Sequence, residues 1–404
     1  MADIPKIRFK GFTEPWEQRK LGDLLNETRE KTSVEDEDTL LSCAIDGMFL
    51  NSELFSHFRG SSNIGYLKVK KNDLILSAQN LHLGNCNVNL RFEHGIISPA
   101  YKVYELINCD PLFMQAWVKQ DKTKDFFLKA STEGASICRK NIVWEELYKQ
   151  ELPVPKINEQ VKIGAFFQNL DNLITLHQRK CDDTKELKKY MLQKMFPKNG
   201  EKFPEIRFKG FTEAWEQRKL GELAEIVGGG TPSTSVNSYW DGDIDWYAPA
   251  EIGEQIYLES SQLKITEEGL NKSSAKILPI GTVLFTSRAG IGKTAILQKE
   301  GCTNQGFQSI VPNKEKLDSY FIFTRSEELK RYGETVGAGS TFVEVSGKQM
   351  ANMELMMPKT MPEQQQIGEF FANLDHLITL HQRKCDTLKE LKKYMLQNMF
   401  PKKG

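Results

Sequence analysis

Two segments of this sequence occur twice, whereas the longer stretches between them do not. Residues 6–24 match residues 205–223 at 16 of 19 positions. A second block, residues 163–200, returns as residues 367–404 with 31 of 38 positions identical. A period this long is that of a duplicated module, because solenoid repeats recur every ~20 to 50 residues. The chain therefore alternates variable and constant parts, and its fold must accommodate each constant part twice.

The second block has the periodicity of a long helix. One helix from Glu159 to Phe196 would be ~57 Å long at 1.5 Å per residue, too long for the centre of one small domain. Its apolar positions follow in steps of three and four, the seam of a coiled coil. In the first copy these positions are Ile163, Phe167, Leu170, Ile174, His177, Cys181, Thr184, Leu187, Met191 and Met195.

Start and stop signals flank both predicted helices. Asn158 can cap the first helix, and Thr360 with Glu363 fits a capping box at the start of the second. Pro197 and Pro401 end the helices because proline cannot continue the hydrogen-bond ladder. Two nearly identical helices of one chain pack most simply antiparallel, which would relate the halves by a pseudo-twofold axis.

The variable regions have the pattern of α/β domains. Short apolar runs bounded by Gly, Asn and Ser predict strands at 73–77, 96–97, 101–104, 281–285 and 307–311, with helices at 111–122 and 319–336. The predicted fold class is therefore α/β (α+β), with two globular domains separated by antiparallel coiled-coil helices. We place the globular domains at 1–155 and 201–358, and the helical spacers at 156–200 and 359–404.

Polar side chains are concentrated in the loops of both variable regions. Asn and Gln pair with adenine edges, Arg pairs with guanine, and Ser, Thr and Lys contact phosphates. One such residue is more often a turn former, but a cluster on a duplicated scaffold indicates nucleic-acid binding. The candidate DNA-binding residues are Ser77, Gln79, Asn80, His82, Asn85, Asn87, Thr231, Ser233, Ser235, Ser287, Arg288, Lys293, Gln305 and Thr341.

Polar residues of the helices are also repeated. Solvated faces of duplicated helices have no physical reason to stay identical, so we expect one partner surface that is presented twice. The partner-docking candidates are Gln178, Arg179, Lys180 and Lys185, and their copies Gln382, Arg383, Lys384 and Lys389.

Composition narrows the class of protein. The 54 basic residues equal the 54 acidic ones, which argues against a chain that wraps nucleic acid alone but not against local basic loops. Seven cysteines are scattered without any Cys-x-x-Cys spacing, so we expect reduced thiols and no metal site. No apolar run approaches the ~20 residues of a membrane span, and we expect a cytoplasmic protein.

Several phrases of the sequence occur together in one known family. They are residues 229–233, 239–246, 286–293, 304–307 and 358–364 in the second half, and 95–103 and 152–160 in the first. On these residues the chain resembles the specificity subunit of type I restriction-modification enzymes, in a form similar to staphylococcal members.

The resemblance implies a non-catalytic subunit of a larger complex. Each variable region would be a target recognition domain for one half of an asymmetric, bipartite sequence of double-stranded DNA. The helices would set the gap and hold two modification subunits, which supply S-adenosylmethionine binding and adenine N6-methylation. Two restriction subunits would add ATP- and Mg-dependent translocation and cleavage, so this chain itself would bind no cofactor.

Three other interpretations of the sequence are less well supported. Residues 287–294 nearly spell a phosphate-binding P-loop, but the following residues have a strand pattern where that loop needs a helix. Residues 98–101 are one change from an amino-methyltransferase signature, yet no glycine-rich cofactor loop precedes them. A coiled-coil scaffold without any role in nucleic-acid binding would gain nothing from two unlike globular domains.

Overall fold

Two compact units make up the chain, and each contains parts of both long helices. In the computed structural model, the described residues are 4–56, 62–136, 139–198, 200–288, 290–337 and 344–401. Unit 1 comprises Met1–Arg179 and Gln382–Gly404, and unit 2 comprises Lys180–His381. The predicted boundaries between globular domains and spacers stay a prediction, since the units divide the helices instead.

Unit 1 has the predicted α/β pattern. Its strands are β1 (Glu17–Lys20), β2 (Leu25–Thr28), β3 (Leu41–Ala44), β4 (Gly47–Leu50), β5 (Leu67–Lys70), β6 (Leu74–Ser77), β7 (Cys86–Val88), β8 (His94–Ile97), β9 (Tyr101–Leu106), β10 (Ser131–Ser136), β11 (Arg139–Ile142) and β12 (Glu151–Val154). Its helices are α1 (Asn51–Leu54), α2 (Pro111–Val118), α3 (Asp121–Lys129), α4 (Trp144–Lys149) and the first part of α5 (Ile157–Lys194).

Unit 2 also has the predicted α/β pattern. Its strands are β13 (Glu216–Lys219), β14 (Ala224–Gly228), β15 (Trp240–Tyr247), β16 (Tyr257–Leu258), β17 (Leu263–Ile265), β18 (Val283–Phe285), β19 (Thr294–Leu297), β20 (Cys302–Thr303), β21 (Gln308–Pro312) and β22 (Glu354–Met357). Its helices are α6 (Leu220–Leu223), α7 (Glu267–Asn271), α8 (Ser319–Thr324), α9 (Ser326–Gly337), α10 (Gly347–Ala351) and the first part of α11 (Met361–Asn398).

A central sheet with both faces covered organises each unit. In unit 1 the strand order is β2-β9-β6-β7, and in unit 2 it is β14-β21-β18-β19-β16. Successive side chains of a strand point to opposite faces, so Leu74 and Leu76 enter the core beneath the helices, whereas Ile75 packs with the small sheets β3-β4 and β5-β8. Burial on both faces explains why the predicted strand at 73–77 has a continuous apolar run rather than alternation.

The repeated segment 6–24 joins the same elements in both units. β1 pairs with β12 in the register Glu17↔Val154, and β13 pairs with β22 in the register Glu216↔Met357. The peptide N–H of Ile7 donates to the Asn398 carbonyl at the end of α11, and that of Ile206 to the Lys194 carbonyl at the end of α5, both at 2.9 Å. Each repeated segment therefore docks on one helix end and one strand that are equivalent in the two units.

A bidentate ion pair fixes each repeated segment to the start of a long helix. In unit 1 Arg8 donates to the Glu159 carboxylate at 2.7 and 2.8 Å, and in unit 2 Arg207 donates to Glu363 at the same distances. Glu159 and Glu363 are each 2% exposed. The carboxylate that the sequence assigns to a capping box is thus occupied by a guanidinium group, and the capping-box prediction is wrong in this respect.

The long helices run antiparallel within each unit, as predicted. In unit 1 Asp171 of α5 pairs with Lys392 of α11, and the Cys385 thiol lies 4.0 Å from the Ile174 carbonyl. In unit 2 Lys188 pairs with Asp375 at 2.6 Å, and the Cys181 thiol lies 3.8 Å from the Ile378 carbonyl. Because rising numbers on one helix meet falling numbers on the other, their directions are opposed.

The two predicted shorter helices are each interrupted. The stretch predicted at 111–122 forms α2 and α3, and the stretch at 319–336 forms α8 and α9. At the second break, Arg325 has φ −94° and ψ 16°, and its guanidinium group donates to Glu328 and to the Met356 carbonyl. Because the apolar periodicity continues across such a break, the break cannot be predicted from the periodicity.

Asp73 gives unit 1 a stability that depends on pH. Its carboxyl is 6% exposed and accepts from the Lys70 N–H at 2.7 Å, and burial raises its pKa to about 6. A folded-state pKa above the ordinary value means that stability is fully present below about pH 4 and is lost as the pH rises through about 6.

We expect Asp73→Asn to raise the free energy of unfolding of unit 1 by about 1–2 kcal/mol at about pH 7.5, with no gain near pH 4. Asparagine keeps an acceptor for the Lys70 N–H but carries no charge. Hydrogen exchange of β6 amides in the full chain measures the change. A gain of equal size at both pH values would show that the ionised carboxylate is not the cause.

Candidate nucleic-acid interface

The candidate loops occupy the same place in both units. In unit 1 the loop joins β6 to β7, which pair antiparallel through Leu74↔Val88, and in unit 2 it joins β18 to β19 through Val283↔Ile296. The two stretches thus form equivalent hairpins. Their two loops differ in length and in side chains.

In unit 1 the hydroxyl of Ser77 fixes the start of the loop. Ser77 is 5% exposed, and its Oγ accepts from the Asn80 N–H at 3.2 Å and the Gln79 N–H at 3.4 Å. The Gln79 carbonyl accepts from the Lys140 N–H at 3.1 Å, while the Gln79 side chain is exposed. Ser77 therefore shapes the loop, and Gln79 and Asn80 present the amides.

The second part of this loop divides into buried and accessible residues. Asn87 is fully buried, and its amide donates to the Ala44 carbonyl at 2.6 Å and accepts from Gln115 at 3.3 Å. His82 is 8% exposed, and neither ring nitrogen has a hydrogen-bond partner within the described part of the chain. Asn85 is half-buried, with an Oδ1 that likewise has no partner there. Asn87 thus supports the hairpin from below.

In unit 2 a glycine-dependent contact assembles the site. A Cβ on Gly229 would lie 1.9 Å from the Asn304 carbonyl oxygen, so no other residue fits there. The Gly230 N–H donates to the Thr303 carbonyl at 2.8 Å, and the Thr231 hydroxyl then donates to Gln305. Thr231 and Gln305, far apart in sequence, therefore form one polar edge.

The hairpin loop of unit 2 lies against the same edge. The Ser287 N–H donates to the Gly306 carbonyl at 2.8 Å, and Ser287 itself is fully buried. Arg288, with a side chain 37% exposed, lies 4.0 Å from Glu344, and Lys293 at the other end of the loop is exposed.

Three further candidates belong to the second half. The hydroxyls of Ser233 and Ser235 lie 2.8 Å apart, and the Trp240 indole donates to the Ser233 carbonyl at 3.1 Å, which holds this turn. Thr341 lies outside the described residues. The structure thus brings together Thr231, Gln305 and the Ser287–Arg288 pair, with Ser233 and Ser235 on the adjoining turn.

A buried carboxylate precedes Trp246, whose indole donates to the Gly230 carbonyl at 2.8 Å. Asp245 of β15 is 1% exposed and accepts from the Ser261 N–H at 2.9 Å and the Ser261 hydroxyl at 3.0 Å, with Lys299 at 3.2 Å. Burial opposes the charge, but the hydrogen bonds from Ser261 and the ammonium group of Lys299 outweigh it and keep the pKa of Asp245 below its usual value. It therefore remains ionised at neutral pH and fixes β15.

The geometry disfavours both catalytic alternatives. The loop at 287–294 is followed by strand β19, so no helix N-terminus stands behind it to bind a phosphate. In the other motif, the Tyr101 hydroxyl donates to the Cys43 carbonyl at 2.9 Å and is engaged in the fold. Within the described residues, no group of three or more His, Cys, Asp or Glu could hold a metal ion.

The predicted partner-docking residues are divided between two sides of each helix. At 100° per residue, Gln178 and Lys185 share one side of α5, whereas Lys180 lies on another. Gln178 is half-buried and accepts from the Cys385 thiol at 3.5 Å, and Gln382 donates to Asp386 at 3.1 Å. The cationic candidates are exposed: Arg179, Lys180, Lys185, Arg383, Lys384 and Lys389.

The helices carry an exposed apolar stripe that was not predicted from the sequence. Leu187, predicted in the seam, and its copy Leu391 are 46% and 41% exposed. Met191 and Leu192 pack on the unit 2 core instead, and Met395 and Leu396 pack on the unit 1 core. Exposed apolar residues recur within about 100° of one another on each helix. They are Leu173, Leu176, Leu187 and Tyr190 on α5, and Leu377, Leu380, Leu391 and Tyr394 on α11. The same residues occur at the repeated positions of both helices, and this repetition is the sequence signal that could have revealed them.

Comparison with known proteins gives one consistent result. The family model for the type I restriction modification DNA specificity domain matches residues 13–185 and 212–390. The MjaIX specificity subunit of Methanocaldococcus jannaschii, from a type I restriction enzyme, is 33% identical over 189 residues, which are 46% of this chain and 44% of that protein. The match therefore spans less than half the length of that relative.

Two longer matches agree with it. The putative MjaX specificity subunit of the same organism is 25% identical over 357 residues, 86% of this chain and 77% of that protein. The crystal structure of a type I restriction-modification S subunit from M. genitalium has a TM-score of 0.63 at 13% identity, covering 99% of this chain and all of that one. This likeness confirms the predicted fold. No helix in the described part of the chain is long and apolar enough to cross a membrane.

Proposed function

Since the chain belongs to the type I restriction modification DNA specificity family, we propose that it is the non-catalytic DNA-reading subunit of a type I complex. Its two units each read one half of an asymmetric, bipartite sequence of double-stranded DNA. Two modification subunits dock on its helices and methylate adenine with S-adenosylmethionine. Two restriction subunits, using ATP and Mg, complete the complex.

One observation carries this proposal: the framework of the two units is the same, while the loops it presents differ. The Arg8–Glu159 and Arg207–Glu363 pairs and the two strand registers are equivalent. The hairpin loops share position but not side chains. A duplicated framework with unlike loops is what the reading of two different half-sequences requires.

Accessible residues of the loops are the proposed contacts to DNA. In unit 2, Arg288 suits the bidentate contact to guanine, and Lys293 suits a phosphate. The buried candidates Ser77, His82, Asn87 and Ser287 are assigned to holding the loops. The proposed contacts are therefore Gln79, Asn80, Asn85, Thr231, Ser233, Ser235, Arg288, Lys293 and Gln305.

The exposed stripes are the proposed docking surface for the modification subunits. Leucine and tyrosine side chains that are 41–56% exposed at repeated helical positions are costly unless a partner covers them. Lys180 lies within the stripe of α5 and Lys384 within that of α11. Equal stripes on two helices favour two copies of the same partner.

Mapping of methylated adenines tests the proposal. We expect the chain, produced with its modification subunit in a host without other adenine methylation, to direct N6-methyladenine to one split, asymmetric sequence. Methylation without sequence preference, or directed by a single uninterrupted sequence, would refute the bipartite reading.

A matched pair of variants locates the second half-site. Arg288→Ala is expected to relax the sequence requirement of one half-site only, with a loss of about 1–3 kcal/mol on the original sequence. Lys293→Ala, at the other end of the same loop, is expected to weaken binding about equally on all sequences and to reduce its salt dependence. A uniform loss for Arg288→Ala would make it a phosphate contact instead.

A further inference from the structure

Unit 1 contains a groove to which the proposed function gives no role. Its volume is about 1310 Å³, and it lies between α3, the start of β12 and the last turns of α11. All its walls come from unit 1. The candidate DNA-binding residues do not line it.

The walls carry an excess of positive charge. Seven lysines line the groove against five carboxylates. Lys129, Lys389 and Lys393 are exposed and form no ion pair within the described part of the chain. Lys119 donates to the Ile45 and Cys86 carbonyls, and burial, together with the nearby ammonium group of Lys392, lowers the pKa of Lys119. An anionic ligand would relieve this repulsion.

The floor of the groove is apolar. Trp117, Leu396 and Phe400, which are 4%, 9% and 2% exposed, belong to the unit 1 core and line the groove together with Phe126. A DNA backbone presents phosphates and sugars, and gains little from such a floor. A peptide that carries both carboxylates and an apolar side chain satisfies both the walls and the floor.

Unit 2 fills the corresponding place with its own side chain. Asp110 caps α2 by accepting from the Phe113 N–H, and Asp318 caps α8 by accepting from the Phe321 N–H. Trp117 follows Phe113 by four residues, as Arg325 follows Phe321, so Trp117 and Arg325 occupy equivalent positions. In unit 2 the Arg325 guanidinium group lies 5.6 Å from the centre of the Phe196 ring and donates to the Met356 carbonyl at 2.6 Å.

Phe196 and Met356 are the unit 2 equivalents of Phe400 on the floor of the groove and Pro153 on its wall. A cation that is already paired with Glu328 therefore joins these two residues in unit 2. In unit 1 tryptophan stands at that position, and the cation near the Phe400 ring is Lys122 of α3, which lies 5.9 Å from the ring centre and donates to the Pro401 carbonyl at 2.6 Å. The open groove is thus a feature of unit 1.

We propose that this groove binds an acidic segment of a partner protein, whose carboxylates contact the lysines while one apolar side chain rests on Trp117 and Phe400. Since Arg325 occupies the equivalent place in unit 2, the segment binds once per chain. This is a second interaction surface, beyond both the DNA contacts and the two equal helix stripes of the proposed function.

A labelled synthetic peptide tests the proposal on the full chain. The probe carries glutamates around one leucine and one phenylalanine, and its control has glutamine in place of every glutamate. The repeat supplies matched variants: Lys393→Glu and Gln397→Trp change or fill the groove, whereas Lys189→Glu and Gln193→Trp make the same changes at the equivalent positions of α5. These four residues are exposed on the helices, and circular dichroism checks folding.

We expect the acidic peptide to bind, Lys393→Glu to weaken it about three- to tenfold, and Lys189→Glu to leave it unchanged. Gln397→Trp should reduce binding, and Gln193→Trp should not. Absence of binding, equal losses at both members of a pair, or equal binding of the glutamine peptide would overturn the proposal. A short labelled DNA duplex that binds with the same dependence on Lys393 and displaces the peptide would make the groove a nucleic-acid site instead, which also overturns it.

Discussion

Replacing Glu363 by alanine is expected to lower the free energy of unfolding of unit 2 by about 3–5 kcal/mol. The carboxylate is 2% exposed and accepts from Arg207 at 2.7 and 2.8 Å and from the Trp215 indole at 3.1 Å. Its removal leaves a guanidinium group whose side chain is 14% exposed and a fully buried indole N–H without this acceptor. Hydrogen exchange of β13 and β22 in the full chain would show the loss.

Unit 1 provides the matched control. Arg8 and Glu159 repeat the ion pair at the same distances, but the Trp16 indole nitrogen has no hydrogen-bond partner within the described residues. Glu159→Ala is therefore expected to destabilise unit 1 by about 1 kcal/mol less than Glu363→Ala destabilises unit 2. If either substitution cost less than about 1 kcal/mol, the ion pairs would be surface contacts in solution, and their role in fixing the repeated segments would be refuted.

The sequence predicted the long helices well because their periodicity extends over ten turns. The predicted span of Glu159 to Phe196 compares with Ile157–Lys194 in the structure. Their ends were predicted less well. Asn158 lies inside α5 rather than capping it, and Glu363 binds Arg207 rather than a backbone N–H of its own helix. Capping rules consider only residues near the helix end, so they cannot predict a side-chain partner more than 150 residues away in the sequence.

In the candidate site, too, features that depend on neighbouring residues were predicted, whereas those that depend on distant contacts were not. Sequence patterns identified the hairpin loops and the polar side chains in them. They could not separate Asn87, which is fully buried beneath the hairpin, from Gln79, which is exposed, because both are amides in one polar stretch. Nor could they bring Thr231 to Gln305, since that contact depends on the fit of Gly229 against the Asn304 carbonyl.

Leu187 and Leu391 illustrate a different failure. Steps of three and four predict a single seam along the whole helix, yet each helix end also packs on an α/β core. Those contacts rotate the buried side towards Leu192 and Leu396 and leave Leu187 and Leu391 exposed. Identity between copies is the better guide to the proposed docking surface, since it includes the exposed leucines that periodicity assigns to the interior.

Removal of one heptad from both long helices is expected to shorten the preferred gap between the half-sites by about three base pairs. Seven residues span about 10 Å at 1.5 Å per residue, and base pairs are stacked about 3.4 Å apart. The matched deletions are residues 169–175 of α5 and residues 373–379 of α11. Both half-sequences should remain as they were, because no loop residue changes.

The contacts of the helices explain why both deletions are needed. Phe167 stacks on Phe400 in unit 1 and Phe196 packs on Phe371 in unit 2, each with ring centres 6.1 Å apart. These contact points are 29 residues apart on α5 and 29 residues apart on α11. A deletion in α5 alone makes the two lengths unequal, so one of the two aromatic contacts must be lost, and we expect lower stability and no defined gap. Methylation of a DNA library with varied gaps measures both outcomes. If the doubly shortened chain kept the original gap, the helices would not set the spacing, whatever else they bind.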